Sequence, residues 1–69
     1  MERIEVKSSN IKSIGHENDV LEIEFHNGGI YQYQGVSKVL FEELMHSESV
    51  GGYFHTYIKG KFPYKKIER

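Results

Sequence analysis

From Val20 to Phe25 apolar and acidic residues alternate, with Leu21, Ile23 and Phe25 on one side and Glu22 and Glu24 on the other. That is the pattern of a half-buried strand. The turn residues Asn27, Gly28 and Gly29 follow, and then Ile30, Tyr31, Gln32, Tyr33 and Gln34 alternate again. The two runs predict a β-hairpin. Upstream, Ile11 to Ile14 is a shorter alternation closed by Gly15, and Asn18-Asp19 supplies a turn into the Val20 strand. At Val36 the period changes: Val36, Val39, Leu40 and Leu44, flanked by Phe41 and Met45, recur at three and four residues, which is one face of a helix with Ser37 as its N-cap. Val50, Phe54, Tyr57 and Ile58 repeat that spacing, with Ser49 as N-cap and Gly60 as the residue that ends the helix. The expected elements are antiparallel strands near 11–15, 20–26 and 29–35 and helices near 37–46 and 49–59. This order, β-β-β-α-α, is α+β: a three-stranded meander with two helices on one face. The expected core is Ile14, Leu21, Ile23, Phe25, Tyr33, Val36, Leu40, Leu44, Phe54 and Ile58. The pair Gly51-Gly52 inside a first helical turn is unfavourable for helix and signals backbone packed close against a neighbour.

The hairpin loop decides which way Tyr31 and Tyr33 face, because a register shift of one residue flips every side chain. A three-residue loop, His26-Asn27-Gly28, sets Ile23 opposite Tyr31 and Leu21 opposite Tyr33, with the tyrosines inward. A two-residue Asn27-Gly28 turn sets Glu24 and Glu22 opposite them, with the tyrosines outward. Burying Gln32 and Gln34 unpaired is costly, which favours the inward arrangement.

Sixty-nine residues suffice for one core, so the chain is expected to be a single domain over 1–69. It has no cysteine, which removes disulfides, thiolate nucleophiles and thiolate zinc sites and agrees with a reducing compartment. No apolar run reaches the length of a signal-peptide core or a membrane span, so a cytoplasmic protein with no membrane partner is expected. The net charge of -1 conceals an asymmetry: residues 1–50 carry nine acids and four bases, and residues 51–69 one acid and five bases. In that basic end Lys59, Lys61, Lys65, Lys66 and Arg69 are interleaved with Phe62 and Tyr64, a mixture that neutralises phosphates while offering rings to unpaired bases.

The run Ser8-Ser9-Asn10-Ile11, then Ile14-Gly15, LEIEFHNGGIYQYQGVS, Gly52-Tyr53-Phe54 and Ile58-Lys59-Gly60 resembles the KTSC domain, from about Val6 to Tyr64. That family is named after the C-terminal domain of certain lysyl-tRNA synthetases and also occurs as small free-standing bacterial proteins. Its Tyr-x-Tyr hallmark corresponds to Tyr31, Gln32 and Tyr33. The resemblance implies no established activity, and the synthetase context suggests RNA binding. Members often carry Tyr where His16 stands, Asn where His55 stands and Arg where Lys59 stands; lysine lacks the planar donor fork that suits phosphate. On the inward hairpin, the motif residues Tyr31, Tyr33, Gly52, Tyr53 and Phe54 read as structural.

His16, His26, His46 and His55 include no i, i+4 pair and have no cysteine beside them, so neither a metal nor another cofactor is expected. No Ser-His-Asp order is legible, and Glu42-Glu43 reads as exposed. The expectation is a non-catalytic binding module whose partner is RNA or an RNA-handling protein. The competing class is a protein-interaction module or homodimer that uses apolar surface around Tyr53, Phe54 and Tyr57.

Overall fold

The computed structural model describes residues 1–67, and Arg69 lies outside them. Five strands and two helices run β1 (Ile4–Glu5), β2 (Ile11–Glu17), β3 (Val20–Phe25), β4 (Ile30–Gln34), α1 (Lys38–Met45), α2 (Val50–Tyr57) and β5 (Tyr64–Ile67). The class is α+β, with four strands before the helices and a fifth after them, and the antiparallel sheet has the order β1-β2-β3-β4-β5, not three strands. The additional strands are the two edges. β1 has only two residues, and β5 carries adjacent lysines just after Pro63; short length and lysine are what keep an exposed edge from pairing with other chains, and they erase the apolar alternation that marks an inner strand.

The hairpin takes the three-residue loop. Phe25 N–H donates to the Gly29 carbonyl at 2.8 Å, Gly28 has φ +94°, and Ile23 stands opposite Tyr31 and Leu21 opposite Tyr33. Gly28 occupies the left-handed region that glycine enters without a Cβ clash. Tyr33 is accordingly buried, at 5% exposure, and Tyr31 is half-buried. On the opposite face Gln32 donates to Glu22 at 2.8 Å, so its amide is satisfied outside the apolar core.

Both helix starts are capped as the sequence predicts. Ser37 Oγ accepts from Leu40 N–H and Ser49 Oγ accepts from Gly52 N–H, each at 3.1 Å. Gly51 sits where a Cβ would come within 3.0 Å of Ser8 Oγ, so the glycine lets the start of α2 lie against the loop that enters β2.

The core joins Ile11, Ile14, Leu21, Ile23, Tyr33 and Val36 to Leu44, Val50, Phe54 and Ile58 of the helical layer. Phe25 and Leu40, expected inside, are half-buried and pack against its margin. Val39 shares the helical period but is 66% exposed: α1 is two turns long, and its inward stripe is too narrow to include it.

The outer face of the sheet carries a polar cluster. Gly15 stands opposite Glu22, and a Cβ on Gly15 would fall 2.3 Å from the Glu2 carbonyl and 3.1 Å from Arg3 Cγ. That missing side chain makes room for Arg3 to cross β2, where it donates to Ser13 Oγ at 3.1 Å and forms an ion pair with Glu22. Ser13 in turn donates to Glu24 at 3.1 Å.

Candidate functional site

Two concave features are found among the described residues: a shallow one of about 680 Å³ between the hairpin turn and the end of β5, lined by Glu24, Ile30 and Lys66, and, on the helical side of the sheet, an open cleft of about 590 Å³ bounded by α2, β4, β5 and two loops. This is within the range of about 300–1,000 Å³ typical of small-ligand sites. Each wall follows from local sequence. The Ser8–Asn10 loop is folded by Ser8 Oγ, which accepts from the Asn10 and Ile11 amides, and it is tied to the hairpin turn by His26 Nε2 donating to the Ser8 carbonyl at 2.9 Å. Gly51 brings α2 against the same loop, as described above. The fourth wall is β5, paired to β4 with Tyr64 opposite Tyr33 and Lys66 opposite Tyr31.

The cleft floor is aromatic. Phe54 meets Phe25 and Tyr33 edge to face, with ring centroids 5.8 and 5.3 Å apart, and these rings bury one another. Tyr64 packs on Tyr31 at 5.8 Å and on Tyr33 at 5.4 Å, yet remains 60% exposed, so one side of its ring is open. Burial pushes the Tyr33 phenol above its ordinary value of 10, and the neighbouring phenols of Tyr64 and Tyr31 push it in the same direction. Tyr33 is thus a neutral hydrogen-bonding group through the physiological range. The rim is polar, with Asn10, Asn27, His55 and Lys59. None of the described acidic residues lines the cleft, although the chain has ten acids.

The residues singled out in the sequence separate into distinct positions. Lys59, Tyr64, Tyr31, Tyr33 and Phe54 all line the cleft. Lys66 is on the same sheet face as Tyr31, whereas Lys65 stands opposite Gln32 on the outer face, because successive residues of a strand point to opposite sides. The two lysines therefore do not form one patch. Lys61 is exposed in the turn after α2, and Phe62 is half-buried against the core. Gly52 supplies the amide capped by Ser49, and the Tyr53 ring packs, tilted, against Tyr57 at 4.5 Å. Phe54 does not belong to an exposed apolar surface with those two tyrosines; its ring is in the core, pointing to the sheet.

Asn10, His26, Asn27 and His55 were not legible as parts of one site. They come from a loop, a turn and a helix with no shared spacing; Asn10 falls in one motif run, His26 and Asn27 in another and His55 in none, and nothing in the sequence brings these runs together. His16 has a different place: its Nε2 donates to the Val36 carbonyl at 2.6 Å and its ring stacks on Phe41 at 5.0 Å, joining β2 to the start of α1. Among the described residues no group of three His, Cys, Asp or Glu side chains is placed to hold a metal ion, and no helix is long and apolar enough to cross a membrane.

Residues 7–62 match the model of the KTSC domain. An uncharacterized protein of Stutzerimonas stutzeri (strain A1501) is 33% identical over 61 residues, covering 86% of each chain. The lysine–tRNA ligase of Trichormus variabilis is 40% identical over 63 residues, covering 88% of this chain and 11% of the ligase. The crystal structure of a KTSC domain protein from Yersinia pestis is similar to this fold with a TM-score of 0.92 and 43% identity, over 97% of each chain.

Proposed function

The chain belongs to the KTSC domain family, and on that premise we propose that it is a non-catalytic module that binds single-stranded RNA in the cleft between α2 and β5. The observation that carries this reading is the lining: aromatic side chains with an open phenol ring, Lys59, and no described acid, in a chain whose overall charge is negative. Base stacking on aromatic rings and phosphate neutralisation by lysine are the two terms that single-strand binders combine. The lysine–tRNA ligases among the relatives carry the domain in proteins named for a tRNA substrate, which supports RNA over other anionic polymers.

A strand lying along the cleft face meets Lys59, which lines the cleft, and Lys66, on the same face of the sheet. With one phosphate neutralised at each, log K falls against log salt with a slope of about -1.4. Lys66→Ala is expected to make the slope shallower by about 0.7, while Lys65→Ala, on the outer face, leaves it unchanged. Titration of labelled, mixed-sequence single-stranded RNA at several salt concentrations measures both. No binding at low salt, or binding indifferent to salt and to Lys59 and Lys66, overturns the reading. It would leave the helical surface, where Tyr57 and Val39 are exposed, as the basis for a protein-interaction module.

A further inference from the structure

We propose that the cleft is a one-nucleotide pocket, in which a single unstacked base lies against the open side of Tyr64 and its phosphate sits at Lys59. This deepens, and rests on, the assignment of the cleft as the RNA site. Channels that hold a run of single strand offer successive aromatic platforms, one for each base. Here Tyr64 is the one cleft-lining phenylalanine or tyrosine that is exposed; Tyr31 and Phe25 are half-buried, and Tyr33 and Phe54 are buried. The aromatic surface therefore serves one base.

The Ser8–Asn10 loop, bonded to the hairpin turn through His26 and packed against Gly51, forms one boundary of the space. A polar rim borders the space. Asn10 and Asn27 on that rim provide amide donors and acceptors, which a base edge requires and a purely apolar ligand does not. Lys59 follows the C-terminal end of α2 and supplies the charge for one phosphate, with Lys66 on the same face of the sheet for the next.

A pocket of this kind binds a mononucleotide by itself. The test is displacement of labelled single-stranded RNA by adenosine or uridine monophosphate, with adenosine and inorganic phosphate as the two halves of the ligand, and direct binding of the monophosphates measured by equilibrium dialysis. The monophosphates are expected to displace the RNA, and each half alone to be at least about ten-fold weaker. Tyr64→Ala and Lys59→Ala should each weaken monophosphate binding by about ten-fold, while Tyr64→Phe, which keeps the ring, and Lys65→Ala do not. Tyr64 and Lys59 are both exposed, and circular dichroism of each variant establishes that it is folded. If RNA binds with the expected salt dependence but the monophosphates neither bind nor compete, the one-nucleotide pocket is overturned and the RNA reading stands. If the monophosphates bind and RNA does not, the pocket stands and the RNA reading falls.

Discussion

Leu44→Ala is expected to destabilise the protein by about 2–5 kcal/mol. Leu44 is completely buried, on the face of α1 that packs into the core, and truncation removes a branched side chain where the neighbours are held by the sheet and by α2. A domain of 69 residues has a total stability of roughly 3–10 kcal/mol, so the variant loses a large share of it and is expected to be partly unfolded at 37 °C. Leu40→Ala should cost less, since Leu40 is half-buried at the margin. Urea or thermal melts followed by circular dichroism decide the order; a Leu44→Ala midpoint equal to that of the parent contradicts the packing of α1 described above.

The second large effect is on the outer face. Arg3→Ala leaves Glu22, a residue only 4% exposed, without its cation, and breaking such a pair costs about 3–5 kcal/mol when it is fully buried. Arg3 retains some exposure, so the lower end of that range applies. The pH dependence carries the diagnosis. Burial pushes the Glu22 carboxyl up, but the hydrogen bonds from Gln32 and Arg3 and the charge of Arg3 outweigh it and hold the group below its ordinary value of 4.5. A carboxyl lowered in the folded state contributes stability that is complete above about pH 4.5 and is lost as pH falls through the folded-state value. Without Arg3 the burial effect is opposed by the Gln32 hydrogen bond and the N-terminal charge alone, and the contribution of Glu22 shrinks. The melting temperature of the parent should therefore fall more steeply below pH 4.5 than that of Arg3→Ala. Parallel acid profiles for the two proteins would show that the ion pair contributes nothing to folding.

Arg3 was invisible as a structural residue because nothing in its local sequence says that a two-residue strand will lay it across Gly15. The inner strands were legible for the opposite reason: Leu21, Ile23 and Phe25 alternate with glutamates, and the glutamines flanking Tyr33 fixed the parity of the hairpin through the cost of burying amides. β5 escaped because Lys65 and Lys66 break the alternation, although it is those lysines that suit it to an edge. Tyr31 and Tyr33 read as core residues, and Tyr33 is one; but the same inward face also floors the cleft, so the structural and binding roles fall on one pair of rings. Lys59 and Tyr64 are legible in the basic end interleaved with rings, Lys59 also in the Ile58-Lys59-Gly60 motif, while Asn10, Asn27 and His55 needed the topology to bring a loop, a turn and a helix end around them.

The central claim, that ligands enter between α2 and β5, is tested most directly by following backbone amide resonances of the labelled protein as a short single-stranded RNA is added. The account predicts perturbations concentrated at Asn10, Tyr31, Tyr33, His55, Lys59 and Tyr64, with Lys65, Gln32 and Arg3 on the opposite face of the sheet unmoved. Perturbations centred on that outer face, or on Tyr53 and Tyr57 of α2, would contradict it.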